Sequence, residues 1–106
     1  MVKHVVMWKL KEFAEGGDKP ANARRIKHEL ESLRGRIPGL TSLEVGINFE
    51  KSDAAFDVVL LSEFESPAAL SAYQAHPEHS RVADFIGRVR LERALVDFEG
   101  TASSSG

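Results

Sequence analysis

The chain reads as an α+β domain, a four-stranded antiparallel sheet with two helices on one face. Three observations predict it. Four segments carry the period-two alternation or the β-branched and aromatic runs of strands, and two others repeat apolar residues at helical spacing. Each helical segment opens on a capping side chain with proline close behind it. The elements follow in the order strand, helix, strand, strand, helix, strand.

The first strand is Val2 to Lys11, with Val2, His4, Val6, Trp8 and Leu10 on one parity and Val5 and Met7 among lysines on the other. Gly16-Gly17-Asp18 breaks it, and Asp18 with Pro20 starts a helix that runs to about Gly35. Ile26, Leu30, Leu33 and Ile37 form its apolar stripe, leaving Arg24, Lys27, Glu31 and Arg34 for water. After Pro38-Gly39, the residues Leu43, Val45, Ile47 and Phe49 alternate with Glu44, Gly46 and Asn48 as a second strand. Glu50 to Ala55 is a polar hairpin loop. Phe56 to Phe64 is a third strand with Phe56, Val58, Leu60 and Phe64 on one face and Val59 and Leu61 on the other.

Ser66-Pro67 starts the second helix, which carries Leu70 and Tyr73 and breaks at His76, because the residue before Pro77 is pushed out of the helical region. Val82, Phe85, Ile86 and Val89 resume the stripe, and Leu91 to Glu99 closes the sheet. With right-handed crossovers this order is the ferredoxin-like arrangement. Residues 1–99 form one domain, and 100–106 read as a small-residue flexible tail. Two helices cover only one sheet face, so Val5, Met7, Val59 and Leu61 predict a homodimer packed sheet to sheet about a twofold axis.

Composition excludes several classes. At 106 residues the chain holds one domain with a core that needs no staple. A net charge of −2 with interleaved signs gives no electrostatic reason for nucleic acid or an anionic membrane as partner. Without cysteine there is no disulfide framework, thiol nucleophile or cysteine-based zinc site, which fits a reducing compartment. The start of the chain has no long apolar run, and a cytoplasmic location is expected.

Residues spread over nearly the whole chain resemble one family. They are Lys3-His4-Val5-Val6, Ile37-Pro38-Gly39-Leu40, Gly46-Ile47-Asn48, Phe56-Asp57, Phe64-Glu65-Ser66, Tyr73 with His76-Pro77-Glu78-His79, and Val96-Asp97-Phe98. In their order and spacing the chain resembles the stress-responsive dimeric α/β-barrel (Dabb) family, which includes olivetolic acid cyclase-like polyketide cyclases. The resemblance implies a dimer whose two sheets form one barrel-like core. It also implies that Tyr73 and His79 occupy the places of the tyrosine and histidine those cyclases use, with His4 matching another pocket histidine. A further cyclase histidine falls at Val58, where this chain departs.

The chemistry of these residues suits the comparison. Imidazole titrates nearest neutrality, and a phenol donates to a developing oxyanion. His79 is the candidate general base, Tyr73 the donor to an enolate oxygen, and His4 the group that orients them, all without a cofactor, on a small apolar or aromatic ligand. The same residues have a structural reading: His76 and His79 satisfy backbone groups freed at the helix break, and Tyr73 packs in the core. The reading that remains without an enzyme is a non-catalytic, stress-associated dimer. His28 sits on the polar side of the first helix, and Trp8 is a core anchor. No metal is expected, since Pro77 splits the geometry of His76 and His79.

Overall fold

The computed structural model describes residues 1–101. Strand β1 (Val2–Leu10) is followed by a small hairpin of β2 (Phe13–Ala14) and β3 (Gly17–Asp18), helix α1 (Lys19–Glu31), strands β4 (Leu40–Ile47) and β5 (Val58–Phe64), helices α2 (Pro67–Ala75) and α3 (Pro77–Val89), and strand β6 (Arg90–Glu99). The four long strands form one antiparallel sheet in the order β4-β5-β1-β6, the ferredoxin-like topology expected. The second helix is two helices, since His76 leaves the helical region at ψ 134°.

Both helix starts are built as their sequences require. The Asp18 carboxylate accepts from the Ala21 N–H at 2.9 Å, and the Ser66 hydroxyl accepts from the Ala69 N–H at 3.1 Å. Helix α1 ends at Glu31, earlier than its apolar stripe suggests. Leu33 and Arg34 donate to carbonyls three residues back, a tightened turn that still buries Leu33 and Ile37.

The helix-facing side of the sheet is the core: Val2, His4, Val6, Trp8 and Leu10 of β1, Leu43 and Val45 of β4, and Val58, Leu60 and Phe64 of β5 are all buried. Helices α1 and α3 close over it with Ile26, Leu30, Val82, Phe85, Ile86 and Val89. The alternation that placed Ile47 and Phe49 with Leu43 and Val45 fails at its end. Asn48 donates from its side chain to the Phe56 carbonyl and accepts from the Glu50 N–H, so the chain turns out of the sheet and Phe49 is 97% exposed. The third strand begins at Val58, two residues later than its sequence suggests, and just before it the Asp57 carboxylate accepts from the Leu10 N–H at 2.7 Å.

The other face of the sheet is open. Met7, Leu61, Val96 and Phe98 are 36 to 59% exposed there, beside half-buried Val5 and Val59. Strand β6 is an edge, and its helix-facing residues Arg93, Leu95 and Asp97 are also exposed. Gly100, read as the first residue of the tail, donates to the Met1 carbonyl at 2.8 Å; residues 102–106 lie outside those described.

Gly39 tests how the first helix connection is fixed. It sits at φ +83°, and a Cβ there would come within 2.6 Å of the Ala69 Cβ, whereas Gly35 at φ +75° has open space around it. Left-handed backbone costs an alanine about 1 to 2 kcal/mol, and a forced contact adds about 1 to 3 kcal/mol. Urea denaturation should show Gly39→Ala losing clearly more stability than Gly35→Ala. Equal losses would mean that the Ala69 contact yields freely.

Candidate functional site

The helix break organises the site. Pro77 has no N–H to continue α2, and His76 becomes at once the last cap of α2 and the first cap of α3. Its Nδ1 accepts from the Glu78 N–H at 3.1 Å, so His76 has the structural role its position suggested. His79, the third residue of α3, directs its Nδ1 back to the Gln74 carbonyl at 3.3 Å. A carbonyl oxygen only accepts, so that bond puts the proton on Nδ1 and leaves Nε2 with its lone pair when the ring is neutral.

Tyr73, the last buried residue of α2, is fully enclosed between rings. Its ring centroid is 4.3 Å from that of His79, 4.9 Å from that of Phe64 and 6.3 Å from that of His4. Its hydroxyl is buried and, among the described residues, has no hydrogen-bond partner. Burial raises the phenol pKa, so the hydroxyl keeps its proton and remains a donor. His4 reaches the group from β1. It is 2% exposed, and its Nδ1 meets the Asp97 carboxylate of β6 at 2.5 Å, which orients the ring and leaves Nε2 free. Ser62, buried beside it, donates its hydroxyl to the His4 carbonyl at 3.0 Å.

These three side chains line a cavity of about 170 Å³ between α1, α3 and the sheet, walled by Val6, Trp8, Leu30, Leu60 and Ile86 and bordered by Arg90 and Arg93. His79 titrates below its ordinary value of 6.5, first because burial disfavours its charged form and then because His4, Arg93 and His76 oppose a positive charge. The Gln74 bond works the other way without reversing the direction. At neutral pH the site therefore holds a neutral imidazole beside a protonated phenol.

The expected residues His4, Tyr73 and His79 thus fall in one place. Val58 is buried in the core opposite Trp8 and is not part of the cavity wall. His28 is exposed on α1, as its polar position implied. Asp97, Arg90 and Arg93 had no signal of their own as site residues: Asp97 stood in a recognised stretch, but its partner His4 lies 93 residues away. Trp8, read as a core anchor, is buried and also forms cavity wall. Among the described residues no group of three His, Cys, Asp or Glu side chains converges as a metal site. Among the described residues no helix is long and apolar enough to cross a membrane.

The family model of the stress-responsive A/B barrel domain (Dabb) matches residues 2–100. The chain belongs to the Dabb family. Among solved structures it is similar to a dimeric protein of unknown function and ferredoxin-like fold from Bacteroides fragilis, at 29% identity over 93% of this chain and 95% of that one, with a TM-score of 0.81. A dimeric ferredoxin-like protein of unknown function from Jannaschia sp. matches at 28% identity over 93% of this Dabb chain and 98% of its own, with a TM-score of 0.72. Hydroxynitrile lyase from Passiflora edulis shares the fold at 15% identity over 92% and 90% of the two chains, with a TM-score of 0.75. No curated protein sequence matches this Dabb chain.

Four measurements check the site. By NMR, His79 should titrate below 6.5. Its preference for the neutral form stabilises the fold above that pH and is lost as the pH falls through the folded value, so His79→Gln should flatten the stability profile on the acid side. Asp97→Ala leaves a buried imidazole donor unpaired and should cost about 1 to 3 kcal/mol by denaturant titration. Tyr73→Phe, which removes a hydroxyl with no partner, should leave stability unchanged or raise it. A loss comparable to that of Asp97→Ala would mean the hydroxyl is bonded in solution.

Proposed function

We propose that this Dabb chain is a homodimeric small-molecule enzyme that moves protons without a cofactor. The observation that carries the reading is Tyr73, a residue of the cavity wall beside a neutral His79, whose buried hydroxyl has no partner among the described residues. In the proposed reaction, Nε2 of His79 takes a proton from the carbon alpha to a carbonyl. The electron pair of that C–H bond moves to the carbonyl oxygen, and the resulting enolate accepts a hydrogen bond from Tyr73. The enolate carbon then attacks a second carbonyl, whose π electron pair moves to its oxygen, and that oxygen takes the proton from Nε2 of His79, the aldol step of a polyketide cyclase; otherwise the enolate carbon takes that proton back. His4, held by Asp97, positions the phenol and the bound carbonyl. The apolar walls favour an apolar or aromatic substrate body.

A cavity of about 170 Å³ is close to the roughly 150 Å³ that accommodates a benzene ring in an engineered protein core. The substrate part held inside is therefore one ring or a short acyl chain. A second reading, a non-catalytic ligand-binding or structural dimer, is favoured by the Gln74 bond of His79, which gives that histidine a structural use.

Deuterium exchange separates the two. An aryl methyl ketone such as acetophenone, incubated with the protein in D2O, should exchange its methyl protons faster than in buffer. His79→Ala and Tyr73→Phe should each lower that rate by about two orders of magnitude or more while the fold persists. No acceleration by the wild-type chain, together with a stability loss in His79→Ala, would favour the structural reading.

The dimer is proposed through the open sheet face, where Val5, Met7, Val59, Leu61, Val96 and Phe98 form an apolar surface. The similar proteins from Bacteroides fragilis and Jannaschia sp. are described as dimeric. Sedimentation should give twice the chain mass of 11.7 kDa, and Leu61→Glu with Val96→Glu should return it to the monomer. A monomeric wild-type chain at micromolar concentration would remove this interface.

A further inference from the structure

Arg90 and Arg93 border the cavity that holds Tyr73 and His79, and among the described residues neither takes part in an ion pair. Three residues apart on one strand, they would point to opposite faces of a regular sheet. The register of β6 against β1 explains why both reach the same cavity. Glu92 pairs with Lys9, but Leu10 pairs with Arg90, so Leu91 is an extra residue at a bulge and stands 62% exposed. That single extra residue turns Arg90 to the helix-facing side, where Arg93 already lies opposite Trp8. Arg90 is also pinned by its backbone, whose N–H donates to the Ile86 carbonyl as the cap of α3.

We propose that this site takes a small monocarboxylate, its apolar body between Leu30, Leu60 and Ile86 and its carboxylate on Arg90 and Arg93. The inference rests on the reading of the cavity as a ligand site and adds the charge of the ligand. Guanidinium is planar and always charged, and its fork of N–H groups matches a carboxylate. Two such groups beside an apolar sleeve select a molecule with one charged end. The carboxyl end of α3, which is the negative end of its dipole, also lies at Arg90; it opposes any anion there, and a phosphate dianion more than a monoanion. A keto acid would satisfy the whole site, its carboxylate on the arginines and its carbonyl on the Tyr73 hydroxyl.

Trp8 lines the cavity and is the sole tryptophan, so its fluorescence reports occupancy. The full chain is titrated with benzoate, with its neutral isostere benzamide, and with inorganic phosphate, and binding is checked by calorimetry. Benzoate should bind at least tenfold more tightly than benzamide, and phosphate more weakly than both. Arg93→Gln and Arg90→Gln should each weaken benzoate about tenfold while leaving benzamide unchanged, and Arg93→Lys should recover part of the loss. Equal binding of benzoate and benzamide would overturn the carboxylate preference and leave the ligand site standing. Phosphate binding as tight as benzoate would make this a general anion site and overturn the assignment to a carboxylate. If none of the three binds, the cavity is not a ligand site for ring-sized molecules, and the proposal falls with it.

Discussion

The site depends on one missing hydrogen-bond donor. Proline at position 77 cannot supply the N–H that would continue α2, so the chain leaves the helical region at His76 and restarts. The restart needs a cap, which the His76 ring provides, and it leaves the last carbonyls of α2 without helical partners. His79 bonds one of them, the Gln74 carbonyl, and is thereby held with its other nitrogen unencumbered and its ring tilted against Tyr73. The Gln74 bond gives this histidine a structural use and is also compatible with the proposed chemical one. The bond that repairs the backbone also selects the tautomer a base requires.

The second requirement is met from the sheet. His4 is a buried imidazole among apolar residues, a costly placement unless its donor is satisfied. Its partner Asp97 sits on the edge strand, where the carboxylate keeps contact with water. Edge strands tolerate such polar groups because no further strand or helix must pack on them, and here the uncovered inner side of β6 becomes the border of the cavity. The bulge at Leu91 belongs to the same economy, since it re-aims one arginine without disturbing the pairing from Val2 to Lys9.

Most of the fold was legible in the sequence because it follows local rules. Asp18 and Ser66 announce helix starts, Pro77 announces the break, and the parity of Val2, His4, Val6, Trp8 and Leu10 gives the buried face of β1. Period-two patterning fails at the strand ends, where Phe49 lies beyond the last ladder pair, Ile47 with Val58, because the Asn48 turn is a side-chain event that alternation does not register. Of the site, the residues with unusual chemistry were legible and the residues with ordinary chemistry were not. Arginine and aspartate on an edge strand look like solvent-exposed residues. Only the register of β6 against β1 brings Asp97 to His4 and puts Arg90 and Arg93 on one side, and a bulge one residue long cannot be read from composition or spacing.

The Tyr73 hydroxyl remains as the feature that packing alone does not account for. Its ring is enclosed by Phe64, His79 and His4, and phenylalanine would make the same ring contacts without burying an unpaired polar group. Leaving such a hydroxyl unsatisfied costs about 1 to 3 kcal/mol, a substantial share of the stability of a small domain. A group that lowers the stability of the fold contributes most when a partner arrives, because the missing hydrogen bond is then formed. If that partner is an enolate rather than a ketone the bond is stronger still, since the acceptor has gained charge. The same hydroxyl would then bind the transition state better than the substrate. That difference is what the proposed proton transfer requires of Tyr73.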